Sequence, residues 1–183
     1  MVCGFKAREI FANIFPFGEM SIVDVVGQSG GLLSTWNRLS TSFVYFLSLS
    51  VMHLEGVAKD LDKKLKLVNC YGPYDDRRLF WDKVKVGDFL KDMGLILGGD
   101  LNFTRSTRQV WGRNARLDPL ANCFNQMIQE EGLVDVEPIT VHPTWRNGRE
   151  GLEGIAKWLD RFIIAKELAT YVDRCCNLRD YRI

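Results

Sequence analysis

An aspartate and an asparagine stand two residues apart at the mouth of an apolar segment: Asp100 and Asn102 in "LILGGDLNFTR", Leu95 to Arg105. An aspartate can hold a hard divalent ion or orient a water, and an asparagine amide can donate to a phosphoryl oxygen. Positions two apart in a strand share a face, so the two side chains would converge if the extended conformation persists. The glycines just before them allow another backbone or a phosphate to approach closely. The same residues also suit an Asx turn that caps the strand, because Asp and Asn are common turn formers.

A second stretch with chemical content is "RSTRQVWGRNAR", Arg105 to Arg116, which holds four arginines, one tryptophan and no acidic residue. It reads either as a local nucleic-acid patch or as a solvated loop. Whole-chain charge does not help, since 24 basic and 23 acidic residues leave a net charge of +1, with no global electrostatic footprint for nucleic acid or an acidic membrane surface. The five cysteines include the adjacent pair Cys175 and Cys176 but no Cys-x2-Cys or Cys/His ligand spacing. They suggest neither a disulfide framework nor a zinc site, and they read as reduced thiols of an intracellular protein. "MVCGFKAREIF" lacks the apolar run of a signal peptide, and no segment reaches the length of a membrane span.

The elements that must position Asp100 and Asn102 follow from hydrophobic periodicity. With 183 residues and 46% hydrophobic content, the chain has the balance and length for one core. Strand-like alternation runs through "SGGLLSTWN", "STSFVYFLSLSVMHLEGV" and "KLKLVNCYGP", the last stopping on Gly-Pro; "SFVYFLSLSVMHL", Ser42 to Leu54, reads as buried strand. From Asp75 to Met93 the spacing turns helical, with Leu79, Phe80, Val84, Val86, Phe89, Leu90 and Met93 as the apolar stripe, weakened by Gly87. "LILGG" is a short buried strand. A helix over roughly Asp118 to Glu131 turns Leu120, Phe124, Met127 and Ile128 inward and stops at Gly132. "LVDVEPITVHPTW" returns to strand, and "IAKWLDRFIIAKEL" suits a strand or an amphipathic helix. Strands alternate with helices, so the class is α/β or α+β.

Read in order, "GQSGGLLSTWN", "NCYGP…RRLFWDKV", "LILGGDLNFTRS", "LANCFNQMIQEEGLVDVEP", "HPTWRNG" and "WLDRFIIAKE" resemble successive motifs of the endonuclease/exonuclease/phosphatase superfamily. Their phrasing is most similar to the endonuclease domain of non-long-terminal-repeat retrotransposons, and the resemblance runs from about Gly27 to Lys166. It implies an α/β four-layer sandwich, two packed sheets flanked by helices, that cuts DNA with Mg2+. It also implies roles. Asp100 matches the aspartate that orients and deprotonates the attacking water and serves the metal, and Asn102 matches the asparagine that binds the scissile phosphate. Tyr71 matches a tyrosine near that phosphate. Asp160 matches the aspartate that orients a catalytic histidine, and Thr144 and Trp145 match a strand beside the cleft. On this reading Arg105, Arg108, Arg113 and Thr144 are candidate nucleic-acid contacts. If the chain is part of a retroelement protein, the implied location is nuclear.

Two family features have no match in these residues. The glutamate that is the principal magnesium ligand sits in a Leu-Gln-Glu-Thr segment, and Glu9 in "KAREIF" does not match it. The histidine that Asp160 should orient belongs to a Ser-Asp-His motif, which is also missing. His53 and His142 fall outside the matched motifs. A positioned acid/base group is typically worth about 100- to 10,000-fold in rate. The expectation is therefore a single partial domain spanning 1–183, incomplete at both ends and inactive, with Asp100 as the one matched carboxylate of the metal site. A phosphomonoesterase of the same superfamily and a non-catalytic nucleic-acid-binding module are the alternatives. Nothing in the sequence fixes the oligomeric state.

Overall fold

The computed structural model describes residues 4–24, 31–48, 51–92, 94–176 and 181–182. Gly27, Ser29 and Gly30 of the "GQSGG" segment and Met93 of the expected helical stripe lie outside the described residues. In chain order the elements are α1 (Gly4–Ile14), β1 (Gly18–Val23), β2 (Leu32–Asn37), β3 (Thr41–Ser48), β4 (Val51–Ala58), β5 (Lys63–Cys70) and α2 (Arg77–Val86). They continue with β6 (Leu95–Asp100), β7 (Val110–Trp111), α3 (Ala121–Glu130), β8 (Leu133–Pro138), β9 (Trp145–Arg146), β10 (Ala156–Lys157), β11 (Asp160–Ala165), α4 (Lys166–Cys176) and β12 (Tyr181–Arg182).

A seven-stranded sheet in the order β12-β8-β11-β6-β5-β4-β3 organises the molecule. Only β5 and β6 pair in parallel, and α2 supplies their crossover; the other pairs are antiparallel. One face is covered by helices. Trp81 and Val84 of α2, Phe124, Met127 and Ile128 of α3, and Leu168 of α4 pack on Val68 and Cys70 of β5, Leu95 and Leu97 of β6, and Ile163 and Ala165 of β11. Phe103 stacks on Phe124 with ring centroids 3.6 Å apart, and Trp81 meets both rings edge-on. On the other face the antiparallel β1–β2 ribbon lays Leu32 and Trp36 over Met52 and Leu54 of β4, with Tyr71 and Leu67 packed alongside. A small third sheet, β7-β10-β9, sits beside the start of β11. Among the described residues no helix is long and apolar enough to cross a membrane.

Three readings from the sequence change. The segment Ser42 to Leu54 is not one buried strand but the β3–β4 antiparallel pair, and β3 is the outermost strand, with Val44, Tyr45 and Phe46 exposed. An edge strand has one neighbour, so its apolar residues lack a second wall. The helical stretch from Asp75 shortens to α2, because Gly87 and the left-handed Asp88 (φ 56°) end it. Its inward phase is Trp81 and Val84, which turns Leu79 and Val86 out to solvent. The ambiguous "IAKWLDRFIIAKEL" resolves into β10, β11 and the start of α4. The expected helix before Gly132 is found as α3, with Phe124, Met127 and Ile128 buried and Gly132 left-handed (φ 62°). The N-terminal stretch Gly4–Ile14 forms α1.

Candidate active site

Asp100 is the last residue of β6 and Asp160 the first of β11, and the two are direct partners across an antiparallel ladder. Residues paired in this way project to the same face, so the two carboxylates are neighbours. Alternation fixes which face. Leu97 of β6 and Arg161, Ile163 and Ala165 of β11 turn toward the helices, which leaves Asp100 and Asp160 on the opposite side with Phe162.

The turn after β6 departs from simple strand alternation. Asn102 has a left-handed backbone (φ 56°), and its N–H donates to Asp100 Oδ1 at 3.0 Å. The extended continuation that would have made Asp100 and Asn102 converge is therefore replaced by the Asx turn. That turn itself brings the two residues together. Asn102 Nδ2 donates to the Gly72 carbonyl at 2.7 Å, and Gly72 N–H donates to the Asp100 carbonyl at 2.7 Å. The segment carrying Tyr71 is thus stitched to the turn carrying Asp100 and Asn102. A Cβ on Gly72 would lie 2.4 Å from the Leu101 carbonyl oxygen, so a side chain there would push the two segments apart. Gly99 (φ 130°) fits under the Cys70 carbonyl in the same way, at 2.1 Å from an added Cβ.

Two arginine–aspartate pairs that sequence reasoning did not single out brace this turn, Arg77–Asp118 partly buried and Arg161–Asp135 fully so. Arg77, at the start of α2, donates through Nη1 to the Asn102 carbonyl at 2.9 Å and to Asp118 Oδ2 at 2.6 Å. Arg161 Nη1 donates to Asp135 Oδ2 at 2.7 Å, and Arg105 donates to the same oxygen at 2.9 Å. The signal for Arg161 was present in "LDRFII": its position shares a strand phase with Ile163 and Ala165, so an inward strand position is occupied by a cation. The partners Asp118 and Asp135 carry no comparable signal, because each lies far along the chain from its arginine.

Of the arginine-rich stretch, Arg105 faces inward, with Nε donating to Asn125 Oδ1 at 2.7 Å in addition to its contact with Asp135. Arg108, Arg113 and Arg116 are exposed. Between them, Gln109 and Val110 are buried, so the stretch is anchored. Thr144 Oγ1 accepts hydrogen bonds from the N–H groups of Leu159 (3.0 Å) and Asp160 (3.1 Å), which fixes the backbone that presents Asp160. Trp145 is 38% exposed and lies under the Lys157 ammonium, whereas Trp81 is a core ring. His53 contacts Glu55 Oε1 at 2.7 Å and His142 is exposed.

Burial raises the proton affinity of Asp100 above the usual carboxylate range; the N–H of Asn102 pulls it down and the charge of Asp160 pushes it up. Burial, reinforced by the charge of Asp100, pushes the neighbouring Cys70 thiol up to about 12. Among the described residues neither Asp100 nor Asp160 has an ion-pair partner. Two adjacent carboxylates with no counter-cation suit a divalent ion, and Mg2+ is commonly held by one or two carboxylates together with waters and substrate phosphates. No third acidic, histidine or cysteine side chain joins them among the described residues, so they fit one edge of a coordination shell.

No family model matches the chain, and neither does any curated protein sequence. Solved structures do. The endonuclease domain of TRAS1, a telomere-specific non-LTR retrotransposon, matches with a TM-score of 0.62 at 15% identity, over 86% of this chain and 71% of that domain. The AP endonuclease of Leishmania major matches with a TM-score of 0.61 at 14% identity, over 90% of this chain and 68% of that one. A mannosyl-6-phosphatase of Bacteroides thetaiotaomicron gives 0.51 at 13% identity, over 86% and 66%. Identities this low speak for architecture alone: the chain has the DNase I-like sandwich fold of these endonuclease/exonuclease/phosphatase-type structures.

Proposed function

We propose that these residues carry the aspartate–asparagine part of a phosphodiester-cleaving site of the retrotransposon-endonuclease type, acting on DNA. The observation that carries the proposal is the Asx turn of Asp100 and Asn102, facing Asp160 across the ladder and tied to Gly72 next to Tyr71. In this reading Asp100 orients the attacking water and accepts its proton, a task suited to a carboxylate whose proton affinity is raised by burial. Asn102 uses one Nδ2–H on Gly72, and its second N–H is available to a phosphate oxygen. Tyr71 borders that phosphate. Asp160 steadies a histidine supplied from elsewhere. Asp100, with Asp160 beside it, would hold magnesium, which when bound offsets charge on the phosphoryl oxygens. Arg108 and Arg113 supply backbone phosphate contacts, Thr144 works by fixing Asp160, and Arg105 supports the patch from beneath.

The glutamate ligand and the histidine called for by the resemblance are not among these residues, so the 183 residues by themselves do not cleave. A phosphomonoesterase of the same fold is the competing reading. The exposed arginines favour a polyanionic chain over a small phosphomonoester. The test is nicking of supercoiled DNA with magnesium. The chain alone should match an Asp100→Ala control, and adding the glutamate and Ser-Asp-His segments of a related endonuclease should give Asp100-dependent nicking. A folded chimera that stays inert on DNA overturns the roles given to Asp100 and Asn102, and turnover of a phosphomonoester instead would favour the competing reading.

A further inference from the structure

We propose that Arg161 is a positioning residue whose guanidinium clamps the loop bearing Asn102 to the loop that leads into Asp160, and so fixes Asn102 relative to the Asp100–Asp160 pair. Its side chain is completely buried. One terminal nitrogen, Nη2, faces three acceptors from two different loops: the carbonyl of Phe103 (3.1 Å) and Oε1 of Gln109 (3.1 Å) on the segment after β6, and the carbonyl of Trp158 (3.0 Å) on the segment before β11. The other, Nη1, is held by Asp135 of β8. The group lies between two rings, 4.5 Å from the Trp158 centroid and 4.9 Å from that of Phe103.

These contacts fall next to the acting residues. Phe103 follows Asn102, Trp158 precedes Asp160 by two residues, and between them the Leu101 N–H donates to the Leu159 carbonyl at 3.1 Å. Gln109 doubles the bridge: its Oε1 also accepts from Arg105 N–H at 2.7 Å, and its carbonyl accepts from Trp158 N–H at 3.1 Å. A planar, multi-donor cation can satisfy acceptors on two loops at once and stack between rings, whereas an ammonium of the same charge cannot. Burying a guanidinium is costly, and Asp135 supplies the counter-charge that makes it tolerable. A fully apolar residue at this inward strand position would pack more simply. Backbone bonds from Leu101 to Leu159 and from Trp158 to Gln109, and the short β7–β10 ladder beyond them, also join these two segments; the cation adds the side-chain tie that reaches the residue next to Asn102.

The inference rests on the site reading above for which residues are being positioned, and its test does not depend on cleavage. Arg161→Lys keeps the charge and loses the bridge. Amide exchange of Arg161→Lys should show Leu101 and Trp158 losing about tenfold or more in protection, the scale of a hydrogen bond to a charged group, with the β4–β5 amides unchanged. The Asn102 side-chain amide, held on the Gly72 carbonyl, gives a readout that a merely structural role would not move: its NMR signal should shift in Arg161→Lys and stay in place in the core variant Ile163→Val. Uniform loss of protection, or an unmoved Asn102 amide signal in Arg161→Lys, overturns the proposal. A second measurement uses the unaltered chain, so that it holds even where a variant does not fold. In rising denaturant, Leu101 and Trp158 should open together as one unit, and opening at unrelated free energies overturns the clamp. Nicking by the restored chimera is the separate test of the site itself.

Discussion

Replacing Asp100 with asparagine should stabilise the protein at neutral pH while removing the acting carboxylate. Asparagine keeps the shape and the oxygen that accepts the Asn102 N–H at 3.0 Å, so the Asx turn survives. What disappears is a half-buried negative charge placed directly across the ladder from Asp160. Like charges at directly opposed positions cost about 0.2–1 kcal/mol, and solvent screening at this partly exposed site favours the lower part of that range. Since about 1 kcal/mol moves the midpoint of a domain of this size by about 2–4 °C, Asp100→Asn should raise Tm by about 0.5–2 °C at pH 7. The pH dependence carries the sign. Because the folded state holds the Asp100 proton more tightly than the unfolded chain, the penalty is complete above the folded-state value and vanishes below the ordinary carboxylate value of about 3.9. Thermal unfolding followed by circular dichroism at pH 7 and near pH 3 reads both arms. A lower Tm at pH 7, or an equal gain at both pH values, would refute the electrostatic account. Adding Asp160→Asn to Asp100→Asn should bring little further gain, since the repulsion is already gone.

Other outcomes follow from the same structure. Gly99→Ala places a Cβ 2.1 Å from the Cys70 carbonyl oxygen at φ 130°, so urea denaturation should show a loss of at least about 1–3 kcal/mol, the scale of a residue held in disfavoured backbone space. The uncharged edge strand β3, with Val44 64% exposed beside Tyr45 and Phe46, should pair between copies. Val44→Lys should therefore reduce light scattering and dye binding while leaving Tm nearly unchanged. Absence of Asp100-dependent nicking by the chain alone, and its return in the chimera, completes the set.

Much of the fold was legible because short-range pattern and burial agreed. The "LILGG" strand buries Leu95 and Leu97, and the expected helix begins at Ala121 and buries Phe124, Met127 and Ile128, with Leu120 partly buried just ahead of it, since the phase of a periodic segment is set by one dominant apolar face. Agreement failed where a segment had more than one candidate face. Around Trp81, seven apolar residues offered overlapping stripes, and contact with Phe103 and Phe124 selected the one containing Trp81 and Val84.

The sequence by itself determined that Asp100 and Asn102 sit at the end of a buried strand, that "WLDRF" is a second polar interruption of an apolar run, and that the order of motifs resembles one superfamily. Those are local properties of residue type and spacing, which a chain carries before it folds. Only the tertiary structure decided that Asp160 lies directly across from Asp100, that Asn102 takes a left-handed turn instead of extending the strand, and that Arg105 turns inward to Asp135. It likewise decided that Arg77 and Arg161 are held by Asp118 and Asp135. Such partnerships join residues tens of positions apart, and a buried charge signals in the sequence only that it needs a partner, because the packing that makes burial tolerable is also what chooses which carboxylate arrives.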